Sequence, residues 1–224
     1  MAPATLTIEN NVATILMDDG KANAINHDML DALNAALDTA EADAKAIVLA
    51  GRPNRFSGGF DLRVMLESGS AEDVVALVKR GGELAHRLYG CKLPVIAACT
   101  GHAIAMGVFI LLSCDTRIGA AGDFKIGANE TINNMVLPPF AHLLTEERLA
   151  PNMKTRAVVQ AELLNPDMAV QAGYLDQVVA PEVVISTAQA LAAQMTQYPP
   201  AYGGNKAQLR SVTLKAMADS LAAV

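Results

Sequence analysis

Apolar and polar positions change their spacing along the chain, and each change marks an element. Leu6-Thr-Ile and Val12-Ala-Thr-Ile-Leu-Met17 are β-prone runs separated by Glu9-Asn-Asn11, a turn signal, and together predict a hairpin. From Met29 to Ala42, Leu30, Leu33, Leu37 and Ala40 share one helical face while acidic residues lie elsewhere, which predicts an amphipathic helix. Lys45 to Ala50 is short and almost wholly apolar, the pattern of a strand covered on both faces. A glycine-bearing loop at Arg52 to Gly59 precedes a helix-prone tract from about Ala71 to Tyr89, and Pro94 to Cys99 is a second buried strand. Asp115 to Ala120 returns as strand. Asn165-Pro166 predicts a helix start, with Asn as N-cap and Pro at the first helical position. Gly173 closes that helix before a strand over Tyr174 to Val179. Two helices, split at Tyr198 to Gly204, are expected to complete the chain.

This order predicts an α/β fold whose strands feed helices. The economical division is one core over residues 1–180 and a helical segment over 181–224. No fixed-period repeat is visible in the letters. Leu93 to Cys114 contains no Asp, Glu, Lys or Arg and has the look of a membrane span. Pro94, Thr100-Gly101-His102 and Gly107 break it, so a strand, a loop and a buried helix are the better expectation.

Composition narrows the function classes. Hydrophobic residues make up 52% of the 224 and charged residues 18%, which excludes disorder and fits a soluble globule. Aromatics are 4% with no Trp, so stacking platforms for bases are not expected. The net charge of −6, without any Lys/Arg run, argues against a nucleic-acid or anionic-membrane surface but leaves room for a small anionic ligand. Cys91, Cys99 and Cys114 show no metal-ligand spacing and read as small buried hydrophobes in a reducing compartment. The N-terminal residues resemble neither a signal nor a transit peptide, so the expected location is cytoplasmic.

Three segments could carry chemistry. In Asn54-Arg-Phe-Ser-Gly-Gly-Phe-Asp-Leu62, Gly58 and Gly59 allow close approach to the main chain and Asp61 can cap the next helix; a plain turn is the simpler alternative. Lys92 to Asp115 runs from a buried strand through small residues into an apolar helix starting near Met106. The free N–H groups of its first turn would make an electropositive spot, or the helix is core alone. In Phe124-Lys-Ile-Gly-Ala-Asn-Glu-Thr131, Glu130 follows a strand-like run, and on its own letters it is no different from a surface glutamate.

Taken together, these segments resemble the crotonase (enoyl-CoA hydratase/isomerase) superfamily along nearly the whole chain. Gly20-Lys-Ala-Asn-Ala-Ile-Asn26 looks like the adenine-side loop of that family. Phe56-Ser-Gly-Gly-Phe-Asp-Leu62 is similar to its F-S-A-G-x-D-L. Pro94-Val-Ile-Ala-Ala, Gly101-His-Ala-Ile-Ala-Met-Gly107 and Cys114-Asp115 resemble its P-V-I-A-A-I-N-G-x-x-x-G-G-G…C-D, and Asn165 to Val179 its "A…G-L-V-D-x-V-V". The resemblance implies a ClpP/crotonase-like fold of repeated β-β-α units with a short C-terminal helical tail. It implies an oxyanion hole made by the backbone N–H groups of Gly58 and Met106. Glycine is usual at the second position, so the Met106 side chain is expected to narrow the acyl pocket. Ala22, Ala24, Gly58, Gly59, Phe60, Asp61, Leu62, Met106, Gly107 and Phe109 are the implied acyl-CoA contacts. CoA is part of the substrate, with no separate cofactor and no metal. His102 falls where the family varies and is expected to be structural. Homotrimers or pairs of trimers are implied, with C-terminal helices shorter than in longer relatives.

Hydratases of that family carry two glutamates, and here the first position is Phe109. The second is Glu130, within Ile126-Gly-Ala-Asn-Glu-Thr131, which looks most like the I-G-L-N-E-T of mitochondrial Δ3,Δ2-enoyl-CoA isomerases. Leu137-Pro-Pro-Phe140 resembles their A-P-F, and Asn134 stands where the family has glycine. One glutamate with two N–H donors suits a 1,3-proton shift. The resemblance therefore implies an acyl-CoA isomerase with Glu130 as sole acid/base. A hydratase, a thioester hydrolase and a catalytically silent binding protein of the same fold are the alternatives.

Overall fold

The computed structural model describes residues 2–67 and 70–223. Strands β1 (Ala4–Glu9) and β2 (Val12–Met17) form the expected antiparallel hairpin, turned by Asn10 and Asn11 in left-handed conformations. After the short β3 (Ala24–Ile25) comes α1 (His27–Asp43), with Asn26 capping the Met29 N–H. Then follow β4 (Ala46–Gly51), β5 (Asn54–Ser57), β6 (Gly59–Phe60), α2 (Leu62–Glu67) and α3 (Ala71–Gly90). The tract free of charged residues becomes β7 (Val95–Cys99), β8 (Gly101–Ile104) and α4 (Met106–Ser113). Among the described residues, no helix is long and apolar enough to cross a membrane. The chain continues through β9 (Thr116–Ala120), β10 (Ile126–Gly127), α5 (Pro139–Arg148) and one wide helical turn at Thr155–Val159. Helix α6 (Pro166–Ala172) begins at its Asn165 cap and stops at left-handed Gly173, as expected. After it comes β11 (Gln177–Val179), shorter than expected because Tyr174 and Leu175 still bond back to Ala169.

Six strands, in the order β1-β2-β4-β7-β9-β11, make the main sheet. Its central strands are buried on both faces because alternate residues enter different cores. Ala13, Ile15 and Met17 of β2, Ile47 and Leu49 of β4, and Val95, Ala97 and Cys99 of β7 join one core, which α1, α3, α4 and α5 cover. Val12, Ala46, Val48, Ala50, Ile96, Ala98 and Ile118 point to the other face. There α7 (Val184–Met195) brings Val184, Ala188 and Ala192 down on them.

The C-terminal segment differs from expectation in one respect. Beyond α7 it forms two helices, α8 (Ala201–Leu209) and α9 (Ser211–Ala222), so there are three helices rather than two. The Tyr198–Pro200 break is where expected, but Gly203 and Gly204 lie inside α8. Gly203 is where α8 crosses Lys92, and a Cβ there would lie 2.9 Å from the Lys92 carbonyl oxygen. The Asp115 carboxylate ties the segment to the sheet by accepting from Tyr202, Lys206 and the Val95 N–H and by forming an ion pair with Arg210.

The regions read as loops in the sequence hold a second layer. Strands β5, β8 and β10 form a three-stranded parallel sheet, and β3 pairs with β6. Each winding of the chain thus contributes one strand to the main sheet, one to the small sheet and then a helix: β4-β5-α3, β7-β8-α4 and β9-β10-α5. This is the repeated β-β-α fold that the resemblance implies. The repeat lies in backbone path, which is why no period shows in the letters.

Candidate active site

The three segments singled out in the sequence leave the same end of the small sheet. Gly58 to Phe60 follow β5, Met106 follows β8 and Glu130 follows β10, so three adjacent parallel strands deliver them to one place. The carboxyl ends of such strands are where ligands bind in open α/β folds. A cavity of about 280 Å³ opens there, lined by Gly58, Phe60, Leu62, Met65, Val78, Ala105, Phe109, Asn129, Glu130, Asn133, Met135, Val136 and Pro138.

The first wall is built by a clasp between residues 17–25 and 55–61. Asn23 is completely buried, and its side-chain amide donates to the carbonyls of Met17, Arg55 and Phe56. Ser57 donates its hydroxyl to the Asn23 carbonyl and accepts from the Gly59 N–H. Gly58 donates its N–H to the Ala22 carbonyl at 2.8 Å, and Asp61 donates to Ile25. The Gly58 N–H, expected to face the substrate, is therefore already bonded within the protein. Parallel pairing of Ile25 with Phe60 has the opposite consequence at the next position but one. Because Asp61 uses its N–H on β3, alternation along the strand turns the Phe60 N–H away from β3. Asp61 does not line the cavity. Its carboxylate caps the Arg63 N–H and pairs with the Arg63 guanidinium, which lowers its pKa despite burial.

The second wall is the start of α4. Met106 is the first helical residue, so its N–H has no carbonyl one turn earlier to accept it. The turn that points it outward is Ala105, at φ 50 and ψ −121, a conformation that a side chain rarely adopts. Gly59 and Gly107 make the close approach possible. A Cβ on Gly59 would lie 2.9 Å from Ala105 Cβ and 3.5 Å from Met106 N, and one on Gly107 would lie 2.8 Å from the Ser57 carbonyl oxygen. The Met106 side chain does not narrow the pocket, contrary to expectation. It is fully buried, and its Cε reaches the Gly81 face of α3. Helical side chains point back toward the N-terminus of their helix, and here that direction leads into α3.

Glu130 supplies the third wall and is 8% exposed. It begins a tight turn in which Asn133 and Met135 donate to its carbonyl, and Asn134 takes the left-handed φ of 56 that Asn tolerates. Oε2 is buried without a hydrogen-bond partner. Burial raises the pKa of this carboxyl above its ordinary value, partly offset by its own N–H and that of Asn129. Glu130 is the one titratable side chain among the described residues that line the cavity. Phe109 lies where a second carboxylate was considered, and its ring packs edge-on against Phe140 at 6.1 Å.

Of the other expected contacts, Phe60 and Leu62 line the cavity, whereas Ala22, which is exposed, and Ala24 belong to the clasp and are not among the lining residues. His102 stands apart, accepting from the Lys125 N–H and packing edge-on against Phe124. All three cysteines are buried, and burial pushes the Cys99 and Cys114 thiols up to about 12. The residues that sequence reasoning passed over are Asn23 and Ser57. Their only sequence signal was a polar side chain next to small residues in turn-forming segments.

A parallel α/β fold that converges a free helix-start N–H and one buried carboxyl on an apolar cavity defines an enzyme of the crotonase fold. The chain belongs to the enoyl-CoA hydratase/isomerase family, whose sequence model matches residues 7–222. The crystal structure of a family member from Pseudomonas syringae superposes with a TM-score of 0.94 at 39% identity, covering 98% of this chain and 95% of that one. Human mitochondrial enoyl-CoA delta isomerase 1 is 32% identical over 207 residues, 90% of this chain and 68% of that protein. A probable enoyl-CoA hydratase of Bacillus subtilis is 30% identical over 204 residues, 89% of this chain and 78% of that protein.

Proposed function

We propose that the protein is a Δ3,Δ2-enoyl-CoA isomerase in which Glu130 carries out both proton transfers. The observation that carries this reading is the single carboxyl among the described residues of the cavity, which the apolar Phe109 also lines. Hydration needs groups that position a water and move its protons, and a phenyl ring does neither. A 1,3-shift needs one base. In the reaction, the Glu130 carboxylate takes a proton from C2 of a 3-enoyl-CoA, and the electron pair spreads into a dienolate over the thioester oxygen. The same carboxyl then returns the proton at C4, leaving the double bond between C2 and C3. No atom is gained or lost, and no cofactor is required beyond the CoA of the substrate.

The negative oxygen of the dienolate needs donors aimed at it before it forms. The Met106 N–H, at the positive end of α4, is one. The Phe60 N–H takes the place of the Gly58 N–H as the other, because Gly58 already donates to Ala22. The apolar lining suits an acyl chain, and burial raises the Glu130 pKa, the direction that favours a carboxyl able to hold the proton between its two transfers.

The test is turnover of a 3-enoyl-CoA series, followed by the absorbance of the conjugated product. The protein should convert these substrates, and Glu130→Gln should lower kcat by about 10²–10⁴-fold while leaving acyl-CoA affinity nearly unchanged. Near wild-type turnover by E130Q, or faster water addition to 2-enoyl-CoA than isomerisation, would refute the reading.

A further inference from the structure

Two polar atoms are orphaned in the interior beside this site. One is Glu130 Oε2 and the other is Tyr174 Oη. Tyr174 is fully buried and is not part of the cavity lining; it stands behind it. Its position follows from the chain. Helix α6 packs against β10, and the Gly173 turn drops the next residue beneath that strand, with the Tyr174 N–H bonded to Ala169. The Tyr174 hydroxyl thus comes beside the Ala128 N–H and within the field of the Glu130 carboxylate, two residues further along.

A buried phenol whose proton has no acceptor is costly, and phenylalanine at this position would fill the space without that cost. The hydroxyl needs an acceptor, and the carboxylate oxygen that lacks a donor is the complementary group. We infer that Tyr174 is a positioning residue for Glu130, its hydroxyl donating to Oε2 of the ionised carboxylate through one ordered water. The donated bond favours the charged form and fixes which oxygen faces the substrate. No other described lining residue of the cavity is charged, and the groups that offset the burial of Glu130 are backbone N–H groups, its own and that of Asn129. Burial holds the phenol proton in place at every pH in which the enzyme would work, so Tyr174 acts as a donor and never as an anion.

This inference rests on Glu130 as the base, and the experiment separates the two. The Glu130 carboxyl is titrated by its infrared C=O band, taken as the difference between wild type and E130Q, with no substrate present. Tyr174→Phe, which keeps the volume, should move that titration up by about one pH unit. The acid limb of kcat/KM should follow it, giving about a tenfold loss below the limb and little above. Site-specific 3-fluorotyrosine at position 174, a stronger donor of nearly the same shape, should move both down. Should both variants leave the carboxyl titration where it is, Tyr174 is packing alone and the inference falls, whatever E130Q does to turnover. A carboxyl titration that moves while the kcat/KM limb stays still would instead sink the role of Glu130 as base.

Discussion

Gly81 of α3 provides the space that the Phe60 ring occupies. A Cβ at residue 81 would stand 2.6 Å from both Cε1 and Cζ of Phe60, and 3.4 Å from Met106 Cε. One residue on a distant helix therefore backs both strands of the chain from which the two proposed N–H donors come. Gly81→Ala should shift the Phe60 ring and tilt its peptide. The helix gains from alanine, by about 1 kcal/mol, but overpacking costs about 1–3 kcal/mol, so thermal stability should fall slightly or stay level. Turnover should drop by about tenfold or more, since small misplacements of catalytic groups are expensive. Steady-state kinetics beside a melting curve checks both halves.

Glu130 should cost the protein stability at neutral pH. Its folded pKa is raised above the ordinary 4.5, so the native state holds its proton more tightly than the unfolded chain does. Stability from this group is complete below the unfolded value and declines as pH rises through the folded one. E130Q should therefore melt higher than wild type at pH 8, and the gap should narrow as pH is lowered toward 4.5. A gap that is constant with pH would mean that the carboxyl is not destabilised by burial.

Phe109→Glu places a second carboxyl across the cavity from Glu130. The variant should gain measurable addition of water to 2-enoyl-CoA, at a low rate because the apolar lining is not shaped for a water molecule. It should also lose about 2–4 kcal/mol of stability, from the lost ring contact with Phe140 and from burying an acid. Product analysis by mass spectrometry distinguishes the hydrated acyl-CoA from the isomer.

Ala105 is held at φ 50, ψ −121, where glycine is at ease and alanine is strained. Ala105→Gly should stabilise the fold by relieving a strain of about 1–3 kcal/mol, less the extra entropy that glycine brings to the unfolded chain. If the strain serves to hold the Met106 N–H in position, kcat should fall while Tm rises. Denaturant melts and kinetics on the same preparation test the two together.

Much of this was legible in the letters. The hairpin, the amphipathic α1, the two-sided strands and the Asn165–Gly173 helix follow from patterns of two to four residues, and such patterns act through neighbours in the chain. The short strands β5, β6, β8 and β10 were not legible, because two to four residues carry too little periodicity and depend on pairing partners far along the sequence. The third C-terminal helix was missed for a related reason. Gly203 and Gly204 read as a break, yet α8 needs Gly203 to pass close over Lys92, and the division from α9 falls at Arg210, where no glycine or proline marks it.

The sequence by itself determined the order of elements, the family resemblance, the presence of one glutamate where two were possible, and the helix that starts at Met106. Tertiary structure alone decided which N–H groups are free to receive a substrate. Hydrogen-bond direction in a strand depends on register against its partner, and pairing with residues 22–25 uses the N–H groups of Gly58 and Asp61 and turns that of Phe60 away. It also decided that Met106 points into α3 rather than the cavity, and that Glu130 and Tyr174 are both buried. Those outcomes depend on the approach of elements dozens of residues apart, where side-chain direction and burial are set by packing and no local pattern records them.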